Sequence, residues 1–234
     1  RGGVEEVSFG AATDQGGLPV SNRDRDSSRR LIAARATWEF KPTLFAFAEA
    51  GGDERTFDAA SRNDGILRDS SGRYVKTGVG FGNSGAFLRG EIGIGYRRQD
   101  LADRRLEDVD GLLLDADLAW RINAFSSLRL RSLTEFVDTT LADSGGALAR
   151  RIELAYRHEL RRHLIATGGL AYSWQTFSGR ELSEHTISAL LGLDYYVSRD
   201  VALFARYQHT DFDSGDGARD YVDDTFGIGV RIRR

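Results

Sequence analysis

Tight turns and long polar loops alternate along this chain between stretches that read as β-strands. Short joints fall at Lys41-Pro42, Asn83-Ser84-Gly85, Asn123-Ala124-Phe125, Arg161-Arg162-His163 and Ser198-Arg199-Asp200. Longer polar segments lie between them, at about 13–28, 57–72, 100–108, 139–147, 178–183 and 213–220. Such a chain runs up and down, with its short turns gathered at one end and its long loops at the other. This is the layout of an antiparallel barrel that crosses a bacterial outer membrane.

The strand-like segments fall at about 4–12, 30–41, 43–55, 73–83, 86–99, 109–122, 126–138, 148–160, 163–177, 184–197, 201–212 and 221–233. Most are longer than the usual soluble strand and match the roughly 9 to 11 residues that cross a bilayer at a tilt. Period-2 alternation puts Ile187, Ala189, Leu191, Leu193, Tyr195 and Val197 on one face, with Thr186, Ser188, Gly192 and Asp194 on the other. Leu112, Leu114, Ala116, Leu118 and Trp120 separate in the same way from Asp115, Asp117 and Arg121. The apolar set is expected to face lipid and the charged set the lumen. Two segments fit less well: the first carries Glu5 and Glu6, and the third puts Phe45 and Phe47 on a face with Glu49.

Composition narrows the classes. A chain of 234 residues, 41% hydrophobic and 29% charged, has no run near the roughly 18 apolar residues of a spanning helix. In a spanning barrel the hydropathies of alternating residues cancel, so this class stays open. The 27 glycines and 2 prolines suit curved strands that keep their ladder donors. Cysteine is absent, which removes disulfides and thiolate metal sites. A net charge of -3 gives no sign of nucleic-acid binding. Of 32 basic residues only Lys41 and Lys76 are lysine, a bias that a GC-rich genome explains. One domain over residues 1–234 is expected. The chain starts without Met or an apolar leader, so it is expected to begin after processing or truncation, which leaves open whether further strands precede Arg1.

Aromatic residues mark two levels. Trp38, Phe40, Trp120, Tyr156 and Tyr195 lie near the short-turn end of their strands, and Tyr96, Phe136, Trp174 and Tyr207 near the long-loop end. Rings at both ends with aliphatics between are expected to form the two interfacial girdles of a membrane barrel. If the long loops are extracellular, both termini are periplasmic.

The stretches 68–72 (RDSSG), 90–100 (GEIGIGYRRQD) and 111–116 (GLLLDA) resemble a known family, the β-barrel porins of the second type from proteobacterial outer membranes. Residues 204–209 (FARYQH) and 220–224 (DYVDD) continue the likeness. The resemblance implies an outer-membrane barrel, in some members linked with exopolysaccharide, and carries over no catalytic residue and no substrate. Gly227, Val230 and Ile232 have the spacing of a terminal assembly signal, although Arg233-Arg234 replaces the usual aromatic end.

Candidate lumen residues in contact with solute are Arg89, Arg97, Arg129, Arg131, Arg151, Arg157, Arg206, Glu91, Asp115, Glu135 and Glu153. Arg129, Arg131, Arg151 and Arg157 lie on consecutive strands, and a guanidinium ladder in a confined pore attracts anions. The same charges could instead seal the interior by pairing. The expected function is a channel or export conduit for small anionic or saccharide solutes. The alternatives are a non-conducting barrel that binds an envelope partner and a soluble carbohydrate-binding sandwich. A hydrolase would need Ser183, His185 and Asp211 together, without a nucleophile motif. The acidic run from Asp211 to Asp224 lacks the EF-hand spacing and reads as a solvated loop. No enzyme activity, cofactor or metal is expected. The expected partners are membrane lipid and lipopolysaccharide, an envelope protein or a second copy of the chain.

Overall fold

The computed structural model describes residues 2–8, 12–13, 19–20, 23–62, 64–83, 85–139, 141 and 143–233. In chain order the elements are β1 (Gly2–Val7), β2 (Ala12–Thr13), β3 (Pro19–Val20), a 3-10 turn at Arg23–Arg25, β4 (Ser27–Lys41), β5 (Leu44–Phe57) and β6 (Ser70–Phe81). There follow β7 (Leu88–Leu101), β8 (Val109–Arg121), β9 (Ser126–Val137), β10 (Ala147–Arg161) and β11 (Leu164–Phe177). The last three are β12 (Ser183–Tyr196), β13 (Val201–Asp213) and β14 (Tyr221–Ile232). β2 and β3 pair with each other; the rest form one 12-stranded antiparallel sheet, each strand hydrogen-bonded to its neighbours in the chain.

From β4 onward the strand ends match those expected to within three residues. The expected first strand shifts to Gly2–Val7; residues 9–11 of it lie outside the described residues, as do Ser84 in a short joint and parts of the loops at 13–28 and 139–147. Alternation explains the sheet: Ile187, Leu191 and Leu193 point to the exposed face, while Asp194 on the opposite face is buried. Ile32, Phe226 and Ile228 are 73%, 70% and 75% exposed. An apolar face turned outward from a single sheet excludes a soluble sandwich, which buries that face against a second sheet.

The sheet curls like a barrel wall but keeps a seam. β1 pairs only with β4 and β14 only with β13. A second discontinuity lies in the middle. β8 and β9 pair only over Ala116–Arg121 against Ser127–Ser132. Beyond this point β9 stays with β10 and crosses the polar face of β8: the Thr134 amide donates to Asp115 Oδ1 at 3.3 Å and Thr134 Oγ1 accepts from the Leu114 amide at 3.2 Å. The crossing brings Phe136 and Leu148 against Val109 to form the apolar core at the long-loop end.

The long loops meet at that end. Buried Arg68 donates to the Asp64 carboxylate at 2.5 Å and to the carbonyls of Leu141 and Ser144 at 2.9 and 3.3 Å. Ser178 Oγ donates to the carbonyls of Glu107 and Asp108 at 3.1 and 2.9 Å. The Ser178 amide donates to the Gly146 carbonyl at 3.0 Å, and this bond joins the two groups into a cap.

Candidate functional site: the charged inner wall

On β4 to β8 the polar face is built from residues spaced two apart, and their charges compensate one another. Near the long-loop end, buried Asp53 accepts from Arg29 Nε at 3.1 Å and from Arg97. Arg97 Nη2 also donates to Gln99 Oε1 at 2.8 Å, and Gln99 Nε2 donates to Ser70 Oγ at 2.9 Å. Arg55 pairs with Asp138. The Phe136 ring lies 5.1 Å from the Arg55 guanidinium and 5.9 Å from that of Arg97, within the range of cation–π attraction.

A second tier lies nearer the short turns. Arg35 Nη2 donates to Glu91 at 2.7 Å, and its Nη1 stands 3.7 Å from Glu49. Lys76 Nζ donates to Asp115 at 2.8 Å, and the Tyr74 hydroxyl donates to Glu49 at 2.8 Å. The Arg35 guanidinium lies over the Phe47 ring, 3.8 Å from its centre. The odd-looking third segment is therefore a proper lumen strand: Phe45 and Phe47 share the inner face with Glu49, and Gly80 and Gly78 of β6 leave the room for their rings.

Arg129 and Arg131 lie on β9 and Arg151 and Arg157 on β10, and three of the four are ion-paired. Arg129 holds Asp117 with two bonds of 2.9 and 2.6 Å. Arg151 bonds Glu153 at 2.5 Å, and Arg157 bonds Glu159 at 3.1 Å. Arg131 and Arg89 are exposed and, among the described residues, have no carboxylate at ion-pair distance; neither does Glu135 a cation. On the last strands Arg206 binds Asp194 through both oxygens, at 2.9 and 2.7 Å, with Arg231 3.6 Å from the same carboxylate.

Of the expected girdle, Trp38, Phe40, Trp120, Tyr156, Tyr195, Tyr96 and Tyr207 are exposed, and Trp174 is half-buried against Tyr172. Phe136 departs from expectation: it is 7% exposed and sits in the interior, because β9 has crossed the face of β8. Arg29, Glu49, Asp53, Arg55, Lys76 and Gln99 belong to the inner wall although they were not among the expected contacts. The glycines opposite Phe45 and Phe47 were the sequence signal for that face.

Of the candidate hydrolase set, Ser183 Oγ lies 3.2 Å from His185 Nε2, while His185 Nδ1 meets the Tyr172 hydroxyl at 2.8 Å and not Asp211. In the acidic loop Asp216 and Asp220 each accept from Ser214 Oγ at 2.7 Å, which spends them on the turn. No cluster of three or more metal-ligating side chains occurs among the described residues.

Among solved structures, the outer membrane channel DcaP of Acinetobacter baumannii matches with a TM-score of 0.54 at 15% identity, covering 87% of this chain and 62% of that one. The present chain thus spans less than two thirds of that neighbour, and the likeness is one of fold. FpvA of P. aeruginosa matches at 10% identity with a TM-score of 0.47 over 83% of this chain and 33% of that one. The β domain of the Bordetella autotransporter BrkA matches at 13% identity with a TM-score of 0.34 over 88% and 90%. These last two are too distant in shape to carry an argument. No curated protein matches the chain. The family described as "putative beta-barrel porin 2" matches residues 1–234, so the chain, with its up-and-down sheet, outward apolar face and charged inner wall, belongs to that family of outer-membrane porins.

Proposed function

We propose that the protein is a passive channel of the bacterial outer membrane for small anionic or saccharide solutes, and that its wall favours the saccharides. One observation carries the second part. Arg129, Arg151 and Arg157 face carboxylates at 2.5 to 3.1 Å. Guanidinium groups neutralised in this way project little net field into a pore, whereas alternating donors and acceptors suit hydroxyl groups. The long loops face outward and both termini lie on the periplasmic side in this reading.

Liposome swelling tests it. Vesicles carrying the folded protein are expected to swell faster in isotonic monosaccharide than in an anion of similar size. Equal exclusion of both solutes would overturn the channel. It would support instead a non-conducting barrel, which the buried Arg29–Asp53–Arg97 network and the loop cap make the second reading.

A further inference from the structure

Where β9 leaves β8, a cavity of about 300 Å3 opens on the polar face. Its ionisable lining consists of three cations, Arg29, Lys76 and Arg97, and three carboxylates, Glu49, Asp115 and Glu135. The formal charges cancel. Lys76 is held by Asp115 at 2.8 Å, and Arg29 and Arg97 by Asp53 behind the wall. One group is left open to a solute: Glu135, which has no cation at ion-pair distance among the described residues. Arg97 Nε lacks an acceptor as well but is buried. Tyr74 and Phe136 supply aromatic surface beside these charges.

We propose that this cavity is a binding station for one neutral, polyhydroxylated solute of about monosaccharide size. A hydroxyl group both donates and accepts, so one ring can bond both the cations and the carboxylates of this lining. Two adjacent hydroxyls match the paired oxygens of the free Glu135 carboxylate. The apolar C–H face of the sugar packs on the aromatic surface. An anionic solute is repelled by the free Glu135 carboxylate, because the cations of the lining are already held by Asp115 and Asp53. The volume lies at the small end of ligand pockets, about 300–1,000 Å3. The proposal deepens the channel reading and rests on it, since the station would lie on the solute's path.

Saturation-transfer NMR on the whole chain folded in detergent tests the station without requiring conduction. Glucose and N-acetylglucosamine serve as neutral probes, gluconate and glucosamine as charged counterparts. Saturable transfer to the neutral sugars is expected, with Kd on the order of millimolar, and weaker transfer to gluconate than to glucosamine. Glu135→Leu is expected to weaken binding by about tenfold or more, with Glu135→Gln as the milder variant should the first fail to fold. Absence of saturable transfer, stronger binding of gluconate, or unchanged binding in both variants overturns the station. Binding without liposome swelling would sink the channel reading and leave the station standing; swelling without binding would do the reverse.

Discussion

Asp53 is the residue on which the inner wall depends most. Its side chain is 2% exposed and stands between Arg29 and Arg97. Removing one partner of a buried ion pair leaves uncompensated charge at a cost of about 3–5 kcal/mol. Asp53→Ala is expected to destabilise the detergent-folded protein by that amount in urea unfolding. Arg151→Ala, which breaks an exposed pair, is expected to cost under about 1 kcal/mol; equal losses would show that the Asp53 network is solvated. The cap carries a pH dependence of its own. Burial alone would raise the Asp64 pKa, but hydrogen bonds from Arg68 and from the Ile66 amide outweigh it and hold the carboxyl below its ordinary value of 3.8. A depressed carboxyl contributes stability above its unfolded pKa and loses it as pH falls through the folded value. Protection of the Ile66 amide against hydrogen exchange, taken relative to its intrinsic rate at each pH, is therefore expected to hold down to about pH 4 and to fall below it. A loss of protection that begins near neutral pH would point to another group.

At the scale of the strand, most of the architecture was legible in the residues. Alternation depends only on the two-residue period of a strand, and the loops announce themselves by polarity and length, so β4 to β14 lay where expected. What could not be read is where a strand parts from its neighbour. The pattern of β9 continues unbroken through Ser132, Thr134 and Phe136, yet its upper half faces the polar side of β8. Local sequence reports which residues share a face, not what that face meets. The same limit hid the neutralised ladder: Arg129 finds Asp117 across the ladder, while Arg151 and Arg157 find Glu153 and Glu159 two residues along their own strand. Gly80 tests how strands fit together. A side chain there would collide with the Phe45 ring, so Gly80→Val is expected to cost about 1–3 kcal/mol through overpacking. The shift between folded and heated gel mobility is the readout, and a midpoint like that of the parent protein would show that Phe45 moves aside freely.

For the whole molecule, the outward apolar face, the capped long-loop end and the charge-paired inner wall are the features behind the proposed channel, in which selectivity would come from hydroxyl-matching polarity more than from net charge. The two sheet edges at β1 and β14 leave backbone groups unpaired among the described residues, and such edges are a template for further strand pairing. Within the sheet, the compensated pairs set the electrostatics. A reversal potential measured in a planar bilayer across a potassium chloride gradient probes that balance directly. The expected result is discrete channel openings with a reversal potential near zero, which changes toward cation preference when Arg131 and Arg89, two exposed arginines of the expected lumen set without an ion-pair partner among the described residues, become Gln. Folded protein that gives no openings, or a reversal potential fixed at the value for pure anion conduction, would contradict a charge-compensated channel.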